Sequence, residues 1–431
     1  MRGKKYLLTL AVVYLAYLTH GIQAIVLSQN LDNLAIQWGT DAAGVYSAIS
    51  ATGLAKFLTV WICGEISDKI GRRPMAVIGA IMYVIFFGGC LTTSNYTLAY
   101  VFAFLAGAAT SFFDGCLYAA AQESWVKAQG AATILIKFFI SVSGLFYPML
   151  VVSLRAAGGT AWKTGFIVPI VMSVILLVIA VIAPYSYDEE MKAKKAAGQA
   201  ANEKKKGGMD ADAMAAAARF KTPAPKWLVV PLAIMGFINM AAMFSAQQLL
   251  NRYGLNYVGM SDAVSAGLTS LYTGGSLAAV LLWAFAMAKL RWRTLKVLII
   301  DLTGTVCCYA LVIATKSTAV IQFAAFAIGF FAAGGALQCG VTLMQEFHPG
   351  PKGRNLGIYY TFMGLASYII PSITGVLTAS SGNEGAAART SLTLNLVFAA
   401  CGLAFCLYLA ANYKKWFGVS AFVAKKEDEM Y

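Results

Sequence analysis

Charge is scarce in this sequence. Asp, Glu, Lys and Arg make up 12% of its 431 residues, against 59% hydrophobic ones, which rules out a disordered or polyelectrolyte chain. Histidine is scarcer still, with only His20 and His348. No histidine-built metal centre and no nucleophile–base constellation of an enzyme is recognisable, and neither a metal nor a cofactor is expected. The eight cysteines (Cys63, Cys90, Cys116, Cys307, Cys308, Cys339, Cys401 and Cys406) lie in apolar segments without a C-x-x-C spacing. That pattern supports neither a disulfide framework nor a thiolate metal site, and they read as small residues at helix contacts.

What is present in excess is apolar length. Runs of about twenty residues, each able to cross a ~30 Å hydrocarbon core, recur along the whole chain. The first, from Tyr6 to about Leu27 behind Arg2, Lys4 and Lys5, is followed by further runs and reads as a retained helix. Spans are expected near 6–28, 41–63, 74–92, 97–122, 131–153 and 164–184, then 227–250, 262–287, 296–315, 318–344, 355–379 and 391–412. The expectation is an all-α membrane protein with twelve transmembrane helices. Residues 1–184 form one six-helix bundle, 185–226 a linker, 227–412 a second bundle and 413–431 a tail.

The net charge of +14 is resolved by this layout. Of the 33 Lys and Arg residues, 26 fall on the side of the termini and five on the other, with Lys56 and Lys137 inside spans. By the positive-inside rule the termini and linker are cytoplasmic, and no nucleic acid is needed as a partner. Within the linker, "DADAMAAAARFK" has acid at its start and base at its end, as a short helix would. After the last span, "YKKWFGVSAFVAKK" mixes aromatic and basic residues as an amphipathic segment on the inner leaflet would.

Between spans 2 and 3 the chain reads "GEISDKIGRRP", residues 64–74. Gly64 would let span 2 end against a neighbour, Gly71 would permit a tight turn, and Pro74 suits the first turn of span 3. Arg72 and Arg73 read equally well as anchors that hold the loop in the cytoplasm. The corresponding loop of the second half, "AMAKLRWRTLK", keeps the basic residues without the glycines and the aspartate.

Gly64, Asp68, Gly71, Arg72 and Arg73 as G-x-x-x-D-K-x-G-R-R, set in a six-plus-linker-plus-six layout, resemble the loop 2–3 signature of the major facilitator superfamily. The resemblance implies two pseudo-symmetric bundles rocking about a central site, with transport by alternating access. It also implies a gating role for Asp68, linked in the outward-facing state to the start of span 11 near Asn355, Leu356 and Gly357. Two other signatures are missing: Ala103 stands where span 4 would carry an arginine four residues before Gly107, and span 5 has "SVSGLFYP". Both departures weigh against a drug–proton antiporter. "FLAGAATSFFDG", "ATILIKFFIS" and "GVTLMQEFHPGPKGRNLGIYY" are similar to a bacterial branch of inner-membrane carriers loosely associated with quinate- and shikimate-type metabolites.

Asp114, Lys56 and Lys137 are ionisable residues well inside spans, where burial is costly without a partner. Asp114 and Lys137 share a depth if spans 4 and 5 are antiparallel, so two outcomes stand side by side. They form a structural ion pair, or one lysine pairs with Asp114 and leaves the other for a substrate carboxylate. Asp114 is also the candidate proton carrier. Asp301 and Glu346 lie near span ends and read as interfacial. The resemblance implies a pocket at the midplane between halves. Its candidate lining is Tyr17, His20 and Gln23 on span 1, Asn239, Gln247 and Gln248 on span 7, Tyr272 on span 8, Gln338 on span 10, and Tyr359 and Tyr360 on span 11. Such a mixture of rings, amides and a lysine suits a small hydroxylated or aromatic acid. The expectation is a monomeric carrier of a small organic anion, with a proton as coupling ion. A facilitator or exporter of a neutral polar solute, and a membrane sensor on a carrier scaffold, are the alternatives.

Overall fold

The computed structural model describes residues 5–125, 129–196, 220–222, 224–348 and 352–424. Among them, twelve helical stretches are long and apolar enough to cross a membrane. Helix is the form such runs must take, because in hydrocarbon every backbone N–H and C=O has to be satisfied within its own segment. The chain divides into two compact units, residues 1–206 with 374–380, and 207–373 with 381–431.

In the first unit the spans are α1 (Leu7–Gln29), α3 (Ala42–Ile70), α4 (Arg72–Thr92), α5 (Tyr96–Ser124), α6 (Gln129–Ala157) and α7 (Thr164–Ile182). Two short helices accompany them, α2 (Leu31–Trp38) and α8 (Ser186–Ala196). The spans of the second unit are α9 (Val229–Tyr253), α10 (Asp262–Ala288), α11 (Thr294–Ala314), α15 (Glu384–Phe417) and all but residues 374–380 of α14 (Lys352–Ser381). Its tenth span is broken into α12 (Thr318–Ile328) and α13 (Ala336–Phe347) by a widened turn over Gly329–Ala333.

Side chains finish the helices where backbone partners run out. Asp41, Asn95 and Asn383 each precede a span, and each accepts a hydrogen bond from an N–H of its first turn. The unforeseen α2 does the same for a C-terminus: Gln37 Nε2 donates to the carbonyls of Cys90, Leu91 and Thr93, and Trp38 Nε1 to that of Cys90.

Three expectations are corrected here. Gly64 does not end span 2, because α3 runs on through the motif to Ile70, and a Cβ at Gly64 would meet nothing within 4 Å. The turn is Gly71 alone, at φ +101°, with Pro74 in the first turn of α4 as anticipated. The expected amphipathic segment does not lie apart over its first residues: α15 continues to Phe417, Trp416 is buried, and Phe347 stacks edge-on against Tyr413, Trp416 and Phe417. Lys221 and Thr222 of the linker donate their N–H groups to the Trp416 carbonyl. The expected helix at 210–221 lies outside the described residues except for its last two positions, which are not helical. Asp301 is not interfacial but wholly buried.

Candidate substrate site and gating motif

The first unit is drawn together by small residues. On α5 a Cβ at Gly107 would overlap the Thr52 carbonyl of α3, and one at Gly115 would come within 2.8 Å of the Cys63 backbone. The two helices therefore run in backbone contact, as small residues at membrane helix interfaces allow. Lys56 lies on α3 between those two contacts, and Asp114 adjoins Gly115 on α5. Their side chains meet: Lys56 Nζ stands 2.8 Å from Asp114 Oδ2, and Tyr17 OH of α1 donates to Asp114 Oδ1 at 3.0 Å. The partner of Asp114 is thus Lys56 and not Lys137, which removes the structural Asp114–Lys137 pair from consideration.

Lys137 is partly buried on α6 and, among the described residues, has neither a hydrogen bond nor an acidic partner. It is nevertheless close to the same cluster. A Cβ at Gly21 of α1 would come within 2.5 Å of the Ile140 carbonyl, one turn beyond Lys137, so α1 and α6 touch beside His20. The charges of Lys56, Asp114 and Lys137 all act on the His20 ring. That ring is held by Tyr83 OH at 3.0 Å from Nδ1, Tyr83 OH in turn lies 3.1 Å from Thr110 Oγ1, and Thr110 faces Gln23. Tyr118 packs edge-on against Tyr17, and Phe139 stacks on Tyr14. Of the sequence candidates, Tyr17, His20, Gln23, Lys56, Asp114 and Lys137 are therefore brought into one polar, aromatic-walled cluster; Tyr83, Thr110 and Tyr118 were not foreseen.

The candidates of the second unit are less united. Asn239 Nδ2 donates to the Ala336 carbonyl at 2.9 Å and to Tyr359 OH at 3.0 Å, all of it buried, and Tyr272 OH donates to the Met243 carbonyl. These three bind neighbouring helices. Gln248 is buried, Gln247 and Tyr360 are partly buried, and Gln338 is exposed on α13.

The motif builds a second constellation. Arg72 is buried, and its guanidinium donates to Ser67 Oγ at 2.7 Å, Asp68 Oδ1 at 2.8 Å and Glu123 Oε1 at 3.0 Å, while Tyr187 lies across its face at 4.2 Å. Asp188 of α8 caps α4 from outside: Oδ1 accepts the Arg72 N–H at 2.6 Å and Oδ2 the Arg73 N–H at 2.9 Å. Gly71 permits this approach, since a Cβ there would sit 2.6 Å from Asp188 Oδ1. Arg73 Nη2 donates to the Ala183 carbonyl. The reading of Arg72 and Arg73 as mere loop anchors is corrected, for both tie helix ends together. Lys5, bonded to Glu189 at 2.6 Å, is raised above the usual lysine range by that carboxylate. Glu123, Tyr187 and Asp188 gave no sign in the sequence, because each lies at least fifty positions from Arg72 along the chain.

Twelve helical stretches fit to cross a membrane among the described residues, with an ion pair inside two of them, are those of a polytopic membrane protein. The chain belongs to the Major Facilitator Superfamily, whose family description matches residues 9–371. It is similar to the inner membrane transport protein YdiN of Escherichia coli strain K12, 32% identical over 374 residues that cover 86% of this chain and 84% of that one. It is also similar to the MFS-type transporter YfkL of Bacillus subtilis strain 168, at 31% over 422 residues covering 96% and 98%. Among solved structures it superposes on a D-xylose–proton symporter with a TM-score of 0.68 at 15% identity, over 94% of this chain and 97% of that one. On the nucleoside transporter NupG the TM-score is 0.66 at 11% identity, over 93% and 99%. At such identities these two likenesses establish the fold. The protein is a secondary transporter of twelve spans and not an enzyme.

Proposed function

We propose that this carrier moves a small organic anion, a hydroxylated or aromatic carboxylate, together with a proton across a bacterial inner membrane. One observation carries the reading: of the two intramembrane lysines, Lys56 is committed to Asp114, whereas Lys137 has no acidic partner among the described residues. A cation inside a membrane span without a counter-ion is costly even when only partly buried, and a substrate carboxylate supplies one. Tyr17, His20 and Tyr118 then offer ring faces and hydroxyls to the rest of a small acid.

The Lys56–Asp114 pair gives the proton a place in the cycle. Protonation of Asp114 at Oδ2 ends its attraction to Lys56 while leaving the Tyr17 hydrogen bond at Oδ1 intact. Lys56 is then a second cation for the incoming carboxylate, so proton and anion load together. The surplus of Lys and Arg on the side of the termini supports a cytoplasmic location for both of them. Relatives called inner membrane transport proteins support the compartment. In the same reading Asp68 is the gating member of its motif, because it is exposed and spends only one carboxylate oxygen on Arg72.

The test is uptake by the purified protein in liposomes, offered hydroxylated and aromatic acids beside their uncharged analogues under an imposed pH gradient. An acid accumulating toward the alkaline side, and lost with a protonophore, is the expected result. Uptake of the neutral analogues alone, or binding without transport, would overturn the proposal.

A further inference from the structure

The second unit hides a carboxylate that the substrate reading does not use. Asp301 lies two turns into α11 and is fully buried, and neither oxygen has a hydrogen bond of ordinary geometry among the described residues. Its surroundings are apolar: Trp283, Leu298 and Leu302 belong to the same buried cluster. The nearest donor is Trp283 of α10, whose Nε1 is likewise unpartnered. Both groups converge on Gly335, where a Cβ would stand 2.8 Å from Asp301 Oδ2 and 3.2 Å from Trp283 Nε1.

Gly335 is also where the tenth span resumes. It precedes α13, follows the widened turn of Gly329–Ala333, and no side chain caps the new helix. An uncapped helix start offers N–H groups and the positive end of a dipole, both of which draw a carboxylate and are indifferent to a neutral acid. A lone carboxylate in an apolar enclosure is tolerated only as the neutral acid or with donors gathered around it. The arrangement seen, with no donor gathered, is the one that suits the neutral acid.

We propose that Asp301 is a proton-binding site built into the break of the tenth span, distinct from the Lys56–Asp114 pair of the other unit. With the proton bound, the carboxyl rests against Gly335 as observed. On release of the proton to water, the carboxylate takes hydrogen bonds from Trp283 Nε1 and the first turn of α13, and the break rearranges around it.

The neighbours leave the charge of Asp301 uncompensated. The helices packed against α11 carry Glu346 and Cys339 on α13 and none that titrates on α12 or the widened turn; on α15 Cys406 and Tyr413 are buried, Glu384 pairs with Arg252, and Arg389, Cys401, Tyr408, Lys414 and Lys415 are exposed. On α10 are Asp262 and Tyr272, and on α11 itself Cys307, Cys308, Tyr309 and Lys296, whose Nζ lies over the Trp292 ring at 3.9 Å. Glu346 is taken up by Tyr413, Tyr272 by the Met243 carbonyl and Tyr309 by that of Ala242.

The experiment needs no substrate. Tryptophan emission of the purified full-length protein in micelles is titrated from about pH 5 to about pH 9, with Trp283→Phe identifying the contribution of that ring. A reversible pH-dependent component that is absent from both Trp283→Phe and Asp301→Asn is expected. Asp301→Asn, which mimics the neutral acid in shape, should melt no lower than the wild type. The infrared carbonyl band of a protonated carboxylic acid, present at low pH in the wild type and missing from Asp301→Asn, reads the same event directly. Persistence of the emission component and of the band in Asp301→Asn would overturn the proposal. So would a component that follows sodium concentration and ignores pH, or a wild type whose Trp283 emission and acid band do not change with pH. Failure of the anion reading leaves each of these outcomes intact.

Discussion

Lys56 Nζ and Asp114 Oδ2 stand 2.8 Å apart within the membrane-spanning stretches of α3 and α5, with each side chain less than a fifth exposed. The pair exists because Gly107 and Gly115 let the two backbones touch on either side of it. Among the described residues it leaves Lys137 without an acidic partner.

Removing one member of the pair strands the other. Lys56→Gln and Asp114→Asn are each expected to lower stability by roughly 2–4 kcal/mol, toward the lower end because the pair is not fully dry. The double variant should recover most of that loss while failing to couple uptake to a pH gradient. Thermal unfolding in detergent, set beside gradient-driven uptake, measures both. Equal loss of stability in the double variant would show that the two charges act separately.

The packing that creates the pair is itself testable. Gly107→Val would drive a branched side chain into the Thr52 carbonyl and push α3 from α5, at a cost of about 1–3 kcal/mol or more. Gly64→Ala, on the same helix pair but facing open space, should be nearly silent. Unfolding midpoints of the two variants should separate clearly; similar midpoints would contradict the close approach.

Much of this fold was legible in the sequence for a simple reason. Bilayer thickness fixes a minimum apolar length, so spans ending near 92 and beginning at 164 and 262 could be placed from composition alone, and Gly71 announced its turn by being the glycine between two charged helix ends. What length does not encode is rotation about the helix axis. Depth placed Asp114 level with Lys137, but azimuth decided in favour of Lys56, and azimuth was set by glycines on α5. Asp301 was misread for a related reason: its distance from the end of its span says nothing about Trp283 and Gly335 closing over it from other helices. The partners of Arg72 were invisible because a trans-acting cap such as Asp188 follows no local rule.

That cap yields its own prediction. Asp188→Ala strips the acceptor from the first two N–H groups of α4 and should cost about 1 kcal/mol, within the usual range for a lost helix cap. Asp188→Asn should restore part of it. Gly71→Ala should cost more, about 1–3 kcal/mol, since it adds left-handed strain and collides with Asp188. Limited proteolysis of the linker after α8 should rise in the order of these losses; cleavage unchanged in all three would show that α8 does not depend on the cap.

At the motif, Asp68→Asn keeps the size of the side chain but weakens its bond to Arg72, which Glu123 and Ser67 still hold. The expected outcome is a carrier of near-normal stability whose accessibility shifts toward the inward-facing state. Single cysteines placed at either end of the spans and labelled with an impermeant thiol reagent report the shift. Unchanged labelling at both ends would remove Asp68 from gating.

The central claim is that Lys137 is the cation awaiting the substrate carboxylate, and the most direct test is equilibrium binding to Lys137→Gln. A transported acid should bind the variant about 10- to 100-fold more weakly, the loss of one charge-assisted hydrogen bond. Its uncharged amide or alcohol analogue should bind variant and wild type alike. Equal weakening of acid and analogue, or an acid that binds Lys137→Gln as tightly as the wild type, would contradict the account.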